Sequence, residues 1–154
     1  NSMRETMTTD EIRTELLKTT FRYGRANMGV PVGDISQGEF VAMQVIYHYQ
    51  KERPEENGIG AAQLAAGVYS SPPAVSRVLN ALEEKGYIVR ETDPDNRRRT
   101  RIALTEKGEE VRQKGGKLCG DYFDRIVARM GEEKMLQFLS LWKELVEIME
   151  SNRR

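Results

Sequence analysis

Three consecutive arginines, Arg97, Arg98 and Arg99, carry the most specific chemistry in this sequence. They follow a turn-forming Asp-Pro-Asp-Asn sequence, and the segments on either side contain β-forming residues, so we predict a two-stranded ribbon with a long polar tip. Guanidinium groups on such a finger suit the minor groove of DNA, where a narrow A·T tract concentrates negative potential. Asp93 and Asp95 could orient them through charge-assisted hydrogen bonds. An exposed ion-pair loop of little energetic value is an equally weighted alternative.

A second set of polar residues lies on the helix predicted to begin after Ser71. Ser71 is a suitable N-cap, and Pro72 suits the first helical position, where its missing N–H has no partner to lose. Apolar residues then follow with helical spacing and should face a core: Val75, Val78, Leu79 and Leu82. The residues left to face outward near its start are Pro73, Ala74, Ser76, Arg77 and Asn80.

This helix follows a shorter one, predicted over residues 60–66, with Leu64 as its core anchor and Gly67 in the turn after it. Two helices joined in this way make a helix-turn-helix, whose second helix can enter the major groove. There Arg77 could contact guanine or a phosphate, Ala74 a thymine methyl group, and Ser71 with the helix N-terminus a phosphate. Solvated side chains without a partner are the competing interpretation.

Further helices must position these two features. Thr8 and Ser36 each begin a capping box, which predicts a first helix that reaches about residue 28 before Gly29 and Pro31, and a second that ends near Pro54. Thr105 is placed to cap a fifth helix that Gly115 and Gly116 weaken or bend. After Gly131, a sixth helix is apolar around much of its circumference, so we expect pairing with a second copy of the chain.

Composition limits the possible functions. The chain has 154 residues, the size of one domain, and its 24 basic and 24 acidic residues give zero net charge. The charge is polarised, with seven basic against five acidic residues between 70 and 101, a balance of +2. No apolar run is long enough to span a membrane, no secretory signal is recognisable, and the lone Cys119 fits a reducing compartment, so we expect a cytoplasmic protein.

Catalytic and metal-binding signatures are weak. His48 is the single histidine and has no partners at metal-ligand spacing, so a structural role or a place in a pocket wall is expected. We interpret Cys119 as a small buried hydrophobic residue. No phosphate loop, nucleophile elbow or zinc motif occurs, and we expect neither an enzyme nor a bound cofactor.

Several of these motifs occur together in one known family. The segments Ala61–Ala65, Ser71–Arg77, Leu82–Arg90, Asp93–Arg98 and Leu104–Gly108 resemble the MarR family of bacterial regulators. The resemblance implies a mainly α fold with a small β-ribbon (α+β), a winged helix-turn-helix with N- and C-terminal dimerisation helices. It also implies a recognition helix at 72–85, a wing at 87–104 and Arg98 as the minor-groove residue. Asn96 stands where the family often has Asp, and Pro73 where a polar residue is common.

The predicted organisation therefore has three parts. Residues 1–35 contribute an N-terminal helix to dimerisation, 36–105 form the DNA-binding domain, and 106–154 form the C-terminal dimer interface. The expected partners are double-stranded DNA, a second copy of the chain and a small-molecule effector, whose pocket the resemblance places between the first, second and fifth helices near Tyr23, Met43 and Tyr47. The alternative function is a winged-helix protein-interaction module or antirepressor that does not bind DNA.

Overall fold

In the computed structural model, residues 6–26, 32–68 and 70–153 are described. The elements are α1 (Thr9–Ala26), α2 (Gln37–Glu52), β1 (Ile59–Gly60), α3 (Ala61–Val68), α4 (Pro72–Glu84), β2 (Ile88–Asp93), β3 (Asn96–Leu104), α5 (Glu106–Met130) and α6 (Glu132–Ser151). The fold is thus mainly helical with one small antiparallel sheet, which confirms the predicted class. The predicted end of α1 at Met28, Gly29 and Pro31 lies outside the described residues.

The predicted helix starts are confirmed by their caps. The Thr8 amide donates to Glu11 Oε2 at 2.7 Å, while the Glu11 amide donates back to Thr8 Oγ1 at 3.3 Å. Ser36 and Glu39 form the same reciprocal pair at the start of α2. Each box satisfies amides that the first helical turn leaves without a partner, so these residue pairs fix where the helices begin.

The core lies between α2, α3, α4 and the sheet. Its fully buried side chains are Met43, Ile46, Ile59, Leu64, Leu82, Ile88 and Ile102. The sequence predicts that Gly67 lies in a turn after α3, but the structure places it inside the helix. A Cβ at Gly67 would lie 2.7 Å from Val45 Cγ1, so the glycine allows α3 to pack closely on α2.

The sheet contains one strand more than the sequence predicts. β1 pairs antiparallel with β3 (Ile59 with Ile102, Gly60 with Arg101), so the strand order is β1-β3-β2. Gly58, just before β1, has φ of +120°, and a Cβ there would lie 2.4 Å from the Ile102 carbonyl oxygen. Glycine is therefore required where the third strand approaches β3, and a two-residue strand leaves no periodic signal in the sequence.

Helix α5 continues through both of its central glycines, which differ in environment. A Cβ on Gly115 would lie 2.4 Å from Val32 Cγ1, whereas a Cβ on Gly116 would meet nothing within 4 Å. One turn from the start of the helix, a Cβ on Gly108 would lie 2.0 Å from the Tyr87 carbonyl oxygen. Gly108, Arg112 and Gly115 are the buried residues of α5, so this face packs the helix against the rest of the fold, with close approach at the two glycines.

The outer helices expose apolar side chains, as the sequence predicts for α6. Neither α1 nor α6 has a buried residue, and Phe21 of α1 and Leu141 of α6 are 70% and 66% exposed. The other large apolar side chains exposed on these two helices are Ile12, Leu16, Leu17, Tyr23, Leu136, Phe138, Leu139, Val146, Ile148 and Met149. Within the described ranges, no helix is both long and apolar enough to cross a membrane.

Replacing Gly108 or Gly116 of α5 by alanine should change the free energy of unfolding in opposite directions. Gly108→Ala should lower the free energy of unfolding by about 1–3 kcal/mol, because the added methyl group meets a backbone carbonyl that cannot rotate away. Gly116→Ala should raise it by about 0.5–1 kcal/mol, because alanine in an open helical position reduces the entropy of the unfolded chain. Urea unfolding followed by circular dichroism measures both. Equal changes in the same direction would contradict the packing of α5 described above.

Candidate nucleic-acid interface

The N-terminal half of α4 presents the residues that the sequence selects. The Ser71 side chain caps the helix by accepting a hydrogen bond from the Ala74 amide at 3.4 Å. Pro73, Ser76, Arg77 and Asn80 are exposed. Ala74, in contrast, is half-buried, and it lines a cavity of about 340 Å³ between α2, α3 and α4. The outward face therefore carries Arg77 as its longest side chain.

Asn80 is already engaged within the protein. Its Oδ1 accepts a hydrogen bond from Arg90 Nη2, and Arg90 Nε lies 3.2 Å from Glu83 Oε2. Asparagine reads adenine with its oxygen and its amide nitrogen together. Because Arg90 already donates to one lone pair of this oxygen, Asn80 would share the oxygen between Arg90 and adenine in such a contact.

The wing, the β2–β3 hairpin of residues 88–104, has a shorter turn and a different tip from the one predicted. Asp93 pairs directly with Asn96, so only Pro94 and Asp95 connect the strands, where the sequence suggested a long loop. The next pair is Thr92 with Thr100. Between these two pairs, β3 holds Arg97, Arg98 and Arg99 while β2 holds no residue opposite them, so the three arginines lie in an irregularity of the ladder.

The carboxylates of the tip do not orient these arginines, contrary to the prediction. Asp93 Oδ1 accepts from the Asp95 amide at 3.0 Å, and Asp93 Oδ2 lies 4.0 Å from Arg101 Nε. Asn96 shapes the tip instead, since its Oδ1 accepts from the Arg98 amide at 3.1 Å. Within the described part of the chain, Arg97, Arg98 and Arg99 have no carboxylate partner within 4.0 Å.

A polar cluster fixes the other end of α4. Lys85 Nζ donates to Glu39 Oε2 and to the Asp34 carbonyl oxygen, both at 2.7 Å, and the Tyr87 hydroxyl donates to Asp34 Oδ1 at 2.6 Å. Burial raises the pKa of Glu39, but bonds from Lys85 and Ser36 outweigh burial, so the net shift is below its ordinary value of 4.5. The hydrogen bond from Tyr87 likewise lowers the pKa of Asp34.

The wing and α5 begin from the same point. The Thr105 amide donates to the Tyr87 carbonyl at 3.0 Å, Thr105 Oγ1 donates to the Gly86 carbonyl at 2.7 Å, and Lys107 Nζ donates to the Lys85 carbonyl at 3.2 Å. The C-terminus of α4, the base of the wing and the first turn of α5 are thus bonded to one another. The start of α5 is therefore in direct contact with the elements that carry Arg77 and Arg98.

Of the three residues predicted to line an effector pocket, Met43 and Tyr47 lie one turn apart on α2, and Tyr23 lies on α1. Met43 is fully buried in the core, and Tyr47 lies under the Arg112 guanidinium, 3.4 Å from its ring centre. Tyr23 lines an apolar cavity of about 370 Å³ formed by α1, α5 and α6 with Gln37 of α2, whereas Tyr47 lines a separate, mainly apolar cavity of about 450 Å³ between the end of α2 and the start of α5. The aromatic lining of the first cavity consists of Tyr23, Tyr122, Phe123, Phe138 and Trp142. The Tyr23 and Trp142 rings meet edge to face at 5.1 Å, a contact across 119 residues that spacing along the chain does not reveal.

The other candidate groups are unremarkable. His48 is exposed on α2 beside the Tyr47 ring, and Cys119 is half-buried rather than fully buried. Burial raises the pKa of the Cys119 thiol, which favours its protonated form. Among residues 6–26, 32–68 and 70–153, no group of three or more His, Cys, Asp or Glu side chains is placed to hold a metal ion.

Comparison with known proteins now identifies this arrangement. The sequence model of the MarR family matches residues 35–100, which contain α2, the helix-turn-helix and most of the wing. Residues 35–100 belong to the MarR family. A curated relative, the HTH-type transcriptional regulator FarR of Neisseria gonorrhoeae, is 33% identical over 76 residues, which are 49% of this chain and 52% of FarR. The match thus spans about half the length of that relative.

Solved structures resemble the chain over nearly its whole length. The MarR-like fold recurs in the MepR–DNA complex of S. aureus, with a TM-score of 0.71 at 20% identity, covering 93% of this chain and 99% of MepR. It recurs also in the transcriptional repressor CouR bound to a 23-mer DNA duplex, with a TM-score of 0.68 at 22% identity, covering 92% and 99%. At these identities the likeness establishes the fold alone, which is a winged helix.

The cluster that fixes α4 predicts a pH-dependent contribution to stability. Because the folded state holds the Glu39 pKa below 4.5, the ionised form favours folding, fully above about pH 4.5 and less as the pH falls through the lowered value. Glu39→Gln should cost about 1–3 kcal/mol at pH 7, since Lys85 loses a charged acceptor, and the difference from wild type should shrink in acid.

Urea unfolding at pH 7 and about pH 3.5 measures this difference. Glu52→Gln is the matched control, because Glu52 is an exposed carboxylate at the end of the same helix. A cost for Glu39→Gln that stays constant across this pH range would show that its charge does not contribute.

Proposed function

We propose that this chain is a sequence-specific DNA-binding transcriptional regulator that acts as a ligand-responsive repressor on a pseudo-palindromic operator. The observation that carries the proposal is a set of exposed arginines without carboxylate partners among the described residues: Arg77 on α4, and Arg97, Arg98 and Arg99 at the tip of the wing. FarR is a transcriptional regulator, and MepR and CouR are described bound to DNA. These relatives support the assignment of DNA as the partner.

In this proposal, α4 enters the major groove and the wing grips the adjacent minor groove. Arg77 reads guanine or holds a phosphate, while Pro73, Ala74, Ser76 and Asn80 complete the surface. Ser71 and the N-terminus of α4 approach a phosphate. Arg98 enters the minor groove between Arg97 and Arg99, and none of the three must first break an ion pair within the described protein.

We further propose a homodimer, in which 1–35 and 106–154 supply the interface and 36–105 bind DNA. The support comes from the exposed apolar faces of α1 and α6, which a single chain leaves in water. A two-fold dimer presents two copies of α4 to successive major grooves, which requires an operator with two half-sites.

The effector belongs, in this proposal, to the aromatic cavity that α1, α5 and α6 form with Gln37 of α2, which overlaps the predicted pocket between the first, second and fifth helices. Tyr23 is the one predicted residue that lines it. A ligand can release DNA only if it binds the low-affinity conformation better than the DNA-competent one. A ligand that moves α5 would act through the bonds at Thr105 and Lys107 on both α4 and the wing.

The proposal also extends to catalytic activity and to the place in the cell where the chain works. The family to which residues 35–100 belong consists of transcription factors, so we assign the chain no catalytic activity and no cofactor. The relatives named above come from bacteria, whose chromosome lies in the cytoplasm, so we propose that the chain works there.

Fluorescence anisotropy with the chain's own upstream intergenic DNA, repeated across salt concentrations, tests the function. Binding should be specific and steeply salt-dependent. Arg98→Ala should weaken binding across all sequences, and Arg77→Ala should cost about 1–3 kcal/mol and relax specificity if Arg77 reads a base. Arg153→Ala is the control, because Arg153 is exposed beyond α6. Absence of salt-dependent specific binding by wild type would instead favour the protein-interaction module.

Sedimentation tests the dimer. Leu141 and Ser140 are neighbouring exposed residues of α6, one apolar and one polar, and their side chains point about 100° apart around the helix. Leu141→Asp should shift the protein from dimer to monomer at micromolar concentration, because it places a charge in an apolar interface. Ser140→Asp should leave the dimer intact. A wild-type protein that sediments as a monomer would contradict the proposed assembly.

A further inference from the structure

The base of the wing contains an arginine in a setting unlike that of the three at the tip. Arg101 of β3 donates from Nη1 to Glu56 Oε2 at 3.2 Å and to the Gly58 carbonyl oxygen at 3.4 Å. Its side chain is 19% exposed. Glu56 lies in the segment between α2 and β1, so this contact joins the wing to a different part of the fold.

Glu56 is in turn held by α2. The Tyr49 hydroxyl donates to the same Glu56 Oε2, and Arg53 Nη1 lies 3.6 Å from Glu56 Oε1. The hydrogen bond from Tyr49 lowers the pKa of Glu56, and Arg101 and Arg53 lower it further, so the carboxylate is ionised at neutral pH. Tyr49, Glu56 and Arg101 form a continuous link from α2 to β3, which we name the wing clasp.

The wing clasp lies where the three-stranded part of the sheet ends and the two-stranded part of the wing begins. The sheet has three strands only at the base of the wing, where β1 pairs with Ile102 and Arg101. Gly60 with Arg101 is the last of these pairs toward the tip. Beyond it the wing is a two-stranded ribbon, which is marginally stable in water without further packing. Arg101 is thus the residue at which the free part of the wing begins.

We propose that Arg101 is a positioning residue, which acts through Glu56 to hold the wing at a fixed angle to α2 and makes no contact with DNA itself. The inference rests on the proposed DNA-binding function, because the purpose of the fixed angle is to present Arg97, Arg98 and Arg99 to the minor groove. A positively charged residue on a DNA-binding wing would otherwise be assigned to a phosphate. Its enclosed side chain and its bonds to Glu56 and Gly58 argue against that role.

The wing clasp and simple electrostatics predict opposite effects of Glu56→Gln on the affinity for DNA. Removal of a negative charge close to the basic wing should tighten binding to DNA if Glu56 acts only through its charge. If Glu56 holds the wing through Arg101, the same change should weaken binding by about tenfold, the loss that corresponds to one hydrogen bond between charged groups. Tyr49→Phe should weaken binding in the same direction with no change of charge.

Anisotropy titrations across salt separate these cases. Glu55→Gln is the matched control, because Glu55 is an exposed carboxylate next in sequence to Glu56, and it should bind as wild type or slightly tighter. Arg101→Gln should weaken binding without changing the slope of log K against log salt. A slope reduced by about 0.9 would reveal a phosphate contact and overturn the proposal. Glu56→Gln combined with Arg101→Gln should cost no more than either change alone.

Amide hydrogen exchange of the free protein tests the clasp without DNA. Glu56→Gln and Tyr49→Phe should speed exchange across residues 88–104, while Glu55→Gln should leave it unchanged. If wild type fails to bind DNA but these variants loosen the wing, the proposed function is wrong and the mechanical link stands. Tighter DNA binding by Glu56→Gln, or unchanged exchange in both clasp variants, would overturn the inference.

Discussion

The contact between Gly108 and the Tyr87 carbonyl oxygen is the constraint on which the architecture depends. A Cβ at Gly108 would lie 2.0 Å from that oxygen, so only glycine lets the first turn of α5 approach the base of the wing. The same carbonyl accepts from the Thr105 amide, and Thr105 caps α5 through the Gly108 amide. Within four residues, the chain thus ends the wing, starts the long helix and joins both to the end of α4.

The separation of paired from exposed charges explains how a chain of zero net charge can present a basic surface. Lys85 forms an ion pair with Glu39, and Arg101 forms one with Glu56. These bonds fix α4 and the wing relative to α2. Arg77 and the three arginines of the tip remain outside that network. Charge that fixes geometry is paired and enclosed, whereas charge left for a polyanion is exposed, and this division matters more than the sum. Because the first turn of α5 bonds to the ends of α4 and the wing, the helix that lines the proposed effector cavity is in direct contact with the elements of the proposed DNA surface.

Local chemistry made much of this fold predictable. The helix starts at Thr8, Ser36, Ser71 and Thr105 follow from single caps, and the buried face of α4 follows from its periodicity. Features that depend on contacts distant in sequence were missed or misplaced. Gly67 resembles a turn residue until α2 is packed against it, and β1 is too short to show a pattern. Asp93 and Asp95 are close to the tip arginines in sequence, but Asp93 turns to Arg101. The aromatic cavity joins Tyr23 to Trp142, a contact that spacing along the chain does not reveal, and Met43 and Tyr47 lie outside its lining.

The central claim is that α4 and the wing of two chains form one composite DNA surface. Hydroxyl-radical footprinting of the bound operator tests it most directly, because the radical attacks the sugars from the minor groove. The account predicts protection related by two-fold symmetry, with half-sites about 10–10.5 base pairs apart, and minor-groove protection at the flanks. That flanking protection should disappear when Arg97, Arg98 and Arg99 are all replaced by Ala, while the central pattern persists. A single asymmetric footprint, or flanks that the triple variant protects as wild type does, would contradict it.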